Sequence, residues 1–310
     1  MPENQPVSLS IIITIVDGPL CLRRCLDRLV PQISGLPVEV IVPFDATVSG
    51  IEAFEEEYPQ IRFVCMGRVQ TTSKPGTQAA AHEIYDRRKA YGLKMARGRI
   101  LALLDDSCAP DPDWCDQVLT AHESPHSAIG GAVEHEGRGG FNWAVYFLDF
   151  GRYQLPLEEG SSTYLTDVNI SYKREALESV RHLWEDRYKE VTINWELARK
   201  GQVLWRRPQI VVRQDRGRLS LKQLMVERYS WGRLFGSIRA HEVSPAIRLL
   251  YILFSPAIPL ILIGRMAGKV FGGKRNRLVF LRSLPQTMVV TSVWCLGEFA
   301  GYLTGKEASI

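Results

Sequence analysis

The chain has 310 residues, 45% of them hydrophobic, with six cysteines and a formal net charge of +4. This length fits one large domain or one domain with an appendage, and the charge is too mild to argue for a nucleic-acid partner. Cys21, Cys25, Cys65, Cys108, Cys115 and Cys295 form no Cys-x-x-Cys pair and have no histidine at metal-ligand spacing, so they read as reduced thiols in a cytosolic setting.

The first residues, Met1 to Pro6, are polar and lack lysine or arginine, which is no signal-peptide pattern. Residues 7 to 16 are β-branched and nearly continuous, as expected of a strand buried on both faces in a parallel sheet. Asp17-Gly18-Pro19 breaks that strand, and Leu20, Leu22, Cys25, Leu26, Leu29 and Val30 follow at helical spacing. Residues 37 to 44 give a second strand ending at Asp45, Ile51 to Tyr58 a short acidic helix, and residues 61 to 66 a third strand. After a loop at Thr71–Thr77, Ala79 to Met95 reads as an alanine-rich helix carrying Arg87, Arg88 and Lys89, stopped by Gly98. A fourth apolar run, from Arg99 to Leu104, ends in Asp105-Asp106-Ser107, and Pro110 and Pro112 then oppose both strand and helix.

Such alternation predicts an α/β fold with a mostly parallel central sheet. Asp17, Asp45, Asp105 and Asp106 each follow a strand end, so they should gather at the carboxyl edge, where ligands bind in such sheets. The first turn has no Gly-x-Gly-x-x-Gly and no phosphate loop of the Gly-x-x-x-x-Gly-Lys type follows, which leaves a dinucleotide-binding domain unsupported.

A helix is expected from about Asp113 to His122, then a strand at Ala128–Val133 with the paired glycines Gly130 and Gly131, which allow close approach of a backbone or a ligand. Gly137–Gly140 and Gly160–Ser162 read as flexible. Between them Phe141, Trp143, Tyr146, Phe147 and Phe150 cannot share one helix face, so part is core and part meets an apolar acceptor or a bilayer. Thr166 to Tyr172 reads as a strand and Lys173 to Ser179 as a helix start. Glu190 and Asn194 share a face of a helix that Gly201 ends, and Gln202–Arg207 and Gln209–Val212 read as two edge strands. Residues 213 to 241 mix Arg213, Arg216, Arg218, Lys222, Arg228, Tyr229, Trp231, Arg233 and Arg239, which suits a phosphate-bearing ligand, a membrane interface or a solvated helix pair. Leu249–Gly264 is apolar but broken by Pro256 and Pro259, and fits a re-entrant or interfacial element. Leu284–Leu303, with Glu298 alone charged, is the better spanning candidate, and only basic charges lie between these two runs.

Taken in order, these pieces resemble a family 2 inverting glycosyltransferase of the GT-A fold, of the membrane-associated type that builds exopolysaccharide or lipid-linked glycans. The matching pieces are Ser8–Ile13 with Leu22, Cys25, Leu26 and Gln32, then Glu39–Val42 with Asp45, and Arg88 to Gly98. Leu104–Ser107 with Pro110–Trp114, Gly130-Gly131, Asn169–Arg174 and the acidic helix before Gly201 complete the set. The resemblance implies a GT-A domain over residues 1–240, with a donor-binding half at about 7–110 and an acceptor half at about 111–215, and a membrane-associated helical region over 241–310.

The resemblance also implies roles. Asp45 would contact the base or ribose of the donor, Arg87 and Arg88 its phosphates, and Asp105 the divalent cation (Mg²⁺ or Mn²⁺) of the Asp-x-Asp motif. Ser107 replaces that motif's second acid, so Asp106 is expected to assist as donor and metal residue. Counting back from Gly201, Glu190 matches the catalytic base, with Glu185-Asp186 as the rival doublet. Gly130, Gly131, Trp143, Asp186, Arg228 and Trp231 are expected on the acceptor side. Implied partners are a nucleotide-diphosphate sugar (a UDP-sugar first), a glycan or polyprenyl-linked acceptor and a membrane, with no nucleic acid. The implied location is a bacterial inner membrane with the catalytic domain cytoplasmic. Gln-x-x-Arg-Trp is absent, which favours single addition over processive synthesis. A nucleotidyltransferase and a non-catalytic membrane-tethered relative are the competing classes.

Overall fold

The computed structural model describes residues 6–217 and 220–306; Arg218 and the stretch Met1 to Gln5 lie outside them. By contacts the chain divides into two compact units. The first comprises residues 1–70, 83–136 and 155–215, and the second residues 71–82, 137–154 and 216–310.

The first unit is built on a nine-stranded mixed sheet. Its elements begin with β1 (Leu9–Thr14), α1 (Pro19–Ile33), β2 (Val38–Phe44), α2 (Ile51–Glu57), β3 (Arg62–Cys65), α3 (Gln78–Met95) and β4 (Ile100–Asp105). The first turn of α3 groups with the second unit. β1 is buried along its whole length, and β4 is buried up to Asp105, because helices cover both faces of a parallel sheet. β3, β2, β1 and β4 lie side by side and parallel, with Thr14 opposite Asp105. Pro19 opens α1 at a position where a missing N–H costs nothing.

β5 (Cys108–Pro110), α4 (Trp114–Ala121) and β6 (Ala128–His135) follow, and α5 (Gly140–Asp149) belongs to the second unit. The first unit resumes with β7 (Gly160–Ser162), β8 (Asn169–Lys173), α6 (Arg174–Glu178), α7 (Glu190–Arg199) and β9 (Leu204–Gln214). β8 runs antiparallel between β4 and β6, and β9 runs parallel to β6. Three expectations are corrected here. The stretch after Ser107 forms a strand, since Cys108–Pro110 pairs with Val212–Gln214. Gly160–Ser162, expected flexible, pairs with Leu204–Arg206. The two expected edge strands are one interior strand, β9, whose register slips opposite Gly131 and Ala132. Pro208 falls in that slip, where no ladder bond is required of it.

A buried node ties the sheet together at the same place. Asn169 Oδ1 accepts from Trp114 Nε1 at 2.9 Å, while its Nδ2 donates to the carbonyls of Ala132 (2.9 Å) and Ile210 (3.0 Å). A Cβ on Gly131 would stand 1.9 Å from the Ile210 oxygen, so only glycine lets the strands meet there.

The second unit is helical. Besides α5 it contains α8 (Leu221–Glu242), α9 (Pro245–Phe254), α10 (Ile258–Gly273) and α11 (Arg277–Thr304). A single 3₁₀ turn, Ser255–Ala257, links α9 to α10, so Pro256 and Pro259 bend the helical path rather than end it. α8 and α11 pack backbone to backbone through two small-residue pairs. A Cβ on Gly232 or Gly236 would stand 2.0 or 2.3 Å from the carbonyl oxygens of Trp294 and Glu298. A Cβ on Gly297 or Gly301 would meet those of Tyr229 and Arg233 at the same two distances.

Candidate active site

The carboxyl ends of β1, β2 and β4 bring Asp17, Asp45, Asp105 and Asp106 to one edge of the sheet, as their positions after strands predict. What each carboxylate does there differs. Asp45 is 1% exposed and accepts from Arg88 Nε at 3.0 Å and from Thr47 Oγ1 at 2.9 Å. Burial opposes its charge, but Arg88 and Thr47 outweigh that and hold Asp45 below the usual carboxylate range. Arg88 also donates to the Ile15 carbonyl, so this buried guanidinium fixes Asp45 against the end of β1.

Asp106 turns to the β1–α1 connection. Its carboxylate accepts from the backbone N–H of Asp17 at 3.1 Å and of Gly18 at 2.9 Å, and its side chain is fully buried. Burial and the Asp17 charge push its pKa up, against those two N–H groups. Its neighbour Asp105 is the carboxylate with capacity to spare. Among the described residues, no donor but the Lys89 ammonium at 3.5 Å reaches its buried Oδ1. Burial raises the Asp105 pKa to about 7, with Lys89 pulling the other way.

Lys89 joins this edge to Glu190. The ammonium is buried, pairs with Asp167 and lies beside Asp105. Burial works against its charge, yet Asp105, Asp167 and Asp86 raise its pKa. The backbone N–H of Asp167 in turn donates to Glu190 Oε1 at 2.7 Å. Glu190 opens α7, where the helix N-terminus favours a carboxylate. Burial and then Asp167 push its pKa up to about 8, against hydrogen bonds from Tyr164 and the Asp167 N–H. The approach to α7 is pinned to α3, with Arg187 Nε bonded to Asp86 at 3.0 Å and the Tyr188 N–H to the Asp86 carbonyl at 3.1 Å.

Lys89 and Asp167 are not among the candidate residues that the sequence singles out. The signal is the triplet Arg87-Arg88-Lys89. Successive helix residues point about 100° apart, so one basic run serves three places. Arg87 reaches Glu83 and Asp186, Arg88 reaches Asp45, and Lys89 reaches Asp105 and Asp167.

The residues expected on the acceptor side divide. Asp186 is exposed and paired with Arg87 at 2.7 Å. Gly130 and Gly131 are buried, and a Cβ on them would strike Leu165 and the Ile210 carbonyl, so their smallness serves strand packing. Trp143, Arg228 and Trp231 belong to the second unit. There Trp143 packs on Tyr146 and Phe147, Trp231 meets the His82 ring, and Arg228 is buried between Asp149 (2.6 Å) and Glu227. Burial notwithstanding, Arg228 and Arg216 pull the Glu227 pKa down to about 2.

Among the described residues no cluster of three His, Cys, Asp or Glu side chains is arranged to hold a metal ion. Mg²⁺ and its relatives, however, commonly bind through one or two carboxylates plus substrate phosphates. The unbonded Oδ1 of Asp105 fits that role, while Asp106 is committed to backbone N–H groups.

The sequence model of Glycosyl transferase family 2 matches residues 10–181. Over 116 residues the chain is 34% identical to a hyaluronan synthase of Pasteurella multocida, a match covering 36% of this chain and 11% of the synthase. The chain thus spans only about a tenth of that relative's length. The fold is similar to that of the mannosyltransferase PcManGT from Pyrobaculum calidifontis, solved with GDP-Man and Mn²⁺, at a TM-score of 0.53 and 14% identity over 94% of this chain and 87% of that one. It is similar also to S. aureus TarS in complex with UDP-GlcNAc, at a TM-score of 0.51 and 12% identity over 94% of this chain and 90% of that one.

Proposed function

The chain belongs to glycosyl transferase family 2 and has the GT-A fold, and from that premise we propose that it is an inverting transferase using Glu190 as general base. In this reading an acceptor hydroxyl attacks the anomeric carbon of a nucleotide-diphosphate sugar from the face opposite the diphosphate. The bond from that carbon to the diphosphate oxygen breaks as the new glycosidic bond forms. Glu190 takes the hydroxyl proton, and the nucleoside diphosphate leaves with the electron pair. No second carboxylate is required as nucleophile.

The observation that carries the proposal is the contact chain Asp105–Lys89–Asp167–Glu190. It ties a carboxylate with an unbonded oxygen to one whose pKa lies near neutrality, where a general base works best. Asp167 orients Glu190 through its backbone N–H, and Lys89 holds Asp167 in place. Asp45, buried and locked by Arg88 and Thr47, would fix the end of β2 beside the nucleoside of the donor. Asp105 would hold a divalent cation, Mg²⁺ or Mn²⁺, which when bound would offset charge on the departing diphosphate. We further propose a UDP-sugar as donor, a glycan or polyprenyl-linked acceptor, and residence at a bacterial inner membrane with the sheet unit in the cytoplasm. Two apolar helices, Pro245–Gly273 and Arg277–Thr304, support the membrane part of the reading.

The test is release of nucleoside diphosphate from a panel of UDP-, GDP- and dTDP-sugars, with Mn²⁺ or with a chelator. One UDP-sugar is expected to turn over, faster with Mn²⁺. No release from any donor under either condition overturns the proposal.

A further inference from the structure

The helical unit carries an inference about how the chain meets a bilayer, which rests on the membrane association proposed above. Pro245–Gly273 and Arg277–Thr304 are each long and apolar enough to cross, so composition alone permits a hairpin through the membrane. The packing around α11 opposes it.

One side of α11 is covered from Gln286 to Gly301. Gly140 of α5 sits on Gln286, Ala144 and Val145 pack with Val290, and the glycines of α8 meet Trp294 to Gly301. The covering helices carry Asp149, Glu227, Arg228, Arg233 and Arg239. Among the described residues, neither α5 nor α8 is long and apolar enough to cross. Taking α11 through the hydrocarbon would take these charges with it, and charged side chains are among the costliest groups to place there. Gly232, Gly236, Gly297 and Gly301 let the α8 and α11 backbones touch, so moving α11 away from α8 would give up that packing.

The opposite side is built for lipid. Only 6% of the apolar window of α9 and α10 is buried, and Leu249, Leu253, Phe254 and Leu260 are each more than half exposed. Between Val243 and Gly297 the sequence has no Asp or Glu, yet it has Arg265, Lys269, Lys274, Arg275, Arg277 and Arg282 around the turn that joins α10 to α11. An apolar face beside an acid-free basic cluster complements an anionic leaflet.

We infer that α9, α10 and the outer face of α11 form a surface lying within one leaflet of an anionic membrane, that neither helix crosses it, and that the Lys274–Arg277 turn stays on the side from which the chain binds. This replaces the sequence-based expectation that Leu284–Leu303 is a span.

The experiment uses the full chain carrying Arg275→Cys in inside-out membrane vesicles, treated with a membrane-impermeant maleimide. Cys65, the exposed native thiol among the described residues, reports the side of the sheet unit. Labelling of both positions without detergent is expected. Labelling of Cys65 alone, with position 275 opened only by detergent, means that the hairpin crosses and overturns the inference. Flotation of the purified chain separates the two proposals. A chain that floats with neither phosphatidylglycerol nor phosphatidylcholine vesicles refutes membrane association itself. Equal affinity for both kinds of vesicle refutes the anionic preference. The double variant Arg275→Gln with Arg277→Gln is expected to lose about 25-fold in affinity for the anionic vesicles, from about fivefold per basic residue.

Discussion

Replacing Lys89 with methionine removes one charge from the centre of the site while keeping most of the side chain's length. The side chain is 7% exposed, paired with Asp167 and 3.5 Å from Asp105. Without it, two carboxylates that are 14% and 16% exposed face each other with no cation between them. Removing one partner of a buried ion pair typically costs about 3–5 kcal/mol. At roughly 1.5 °C per kcal/mol in a protein of this size, the melting temperature should fall by about 5–8 °C. The catalytic signature is separate. Burial and Asp167 push Glu190 up to about 8, and Lys89 is one of the groups that restrain it. With Lys89 gone, Glu190 should hold its proton to higher pH. The acid limb of kcat/KM then moves upward, and the loss is largest near pH 7 and smaller near pH 9, values set by the Glu190 titration. Lys89→Arg keeps the charge and should keep the limb near its native position. A Lys89→Met protein that melts within a degree or two of the native one, with an unmoved acid limb, refutes the role given to Lys89.

Burial disfavours the charged forms of four carboxylates and pushes Asp86 and Asp105 up to about 7 and Asp106 and Glu190 up to about 8, above their unfolded values. The folded state therefore binds protons that the unfolded state has released, so these groups make stability fall as pH rises from about 4 to 8 and level off above that; Glu190→Gln should flatten this slope in melts across that range. Asp106→Ala leaves the N–H groups of Asp17 and Gly18 without their acceptor and should cost about 2–4 kcal/mol in urea unfolding, with little change in Mn²⁺ stimulation, whereas Asp105→Asn should abolish that stimulation. Gly297→Ala places a carbon 2.0 Å from the Tyr229 carbonyl and should destabilise the α8–α11 pair by about 1–3 kcal/mol or more, read as faster proteolysis of the helical unit.

Much of the fold was legible because its central strands are buried on both faces. Largely apolar runs ending at Asp45 and Asp105 identify β2 and β4, and Pro19 and Gly98 mark where α1 begins and where the chain turns after α3. The short strands β5 and β7 were hidden, since three residues carry no periodicity and their partner β9 lies far along the chain. In sequence β9 reads as two pieces because Pro208 marks a break, and only the slip opposite Gly131 shows how one strand accommodates it.

The motif pieces divide in the same way. Trp114, Gly131 and Asn169 meet in one buried hydrogen-bonded node and belong to the fold. Glu190 was reachable by counting back from Gly201. The adjacent acids Asp105 and Asp106 could not be told apart in sequence, and it is the backbone N–H groups at Asp17 and Gly18 that separate their tasks.

Glu190→Gln tests the central claim most directly. Glutamine keeps an oxygen for the Asp167 N–H and removes the proton acceptor. Turnover of the donor found in the panel is measured beside its affinity by calorimetry. The account predicts a fall in kcat of about 10²–10⁴-fold with donor affinity unchanged. Turnover within a fewfold of the native rate contradicts it, and Glu190 is then not the base.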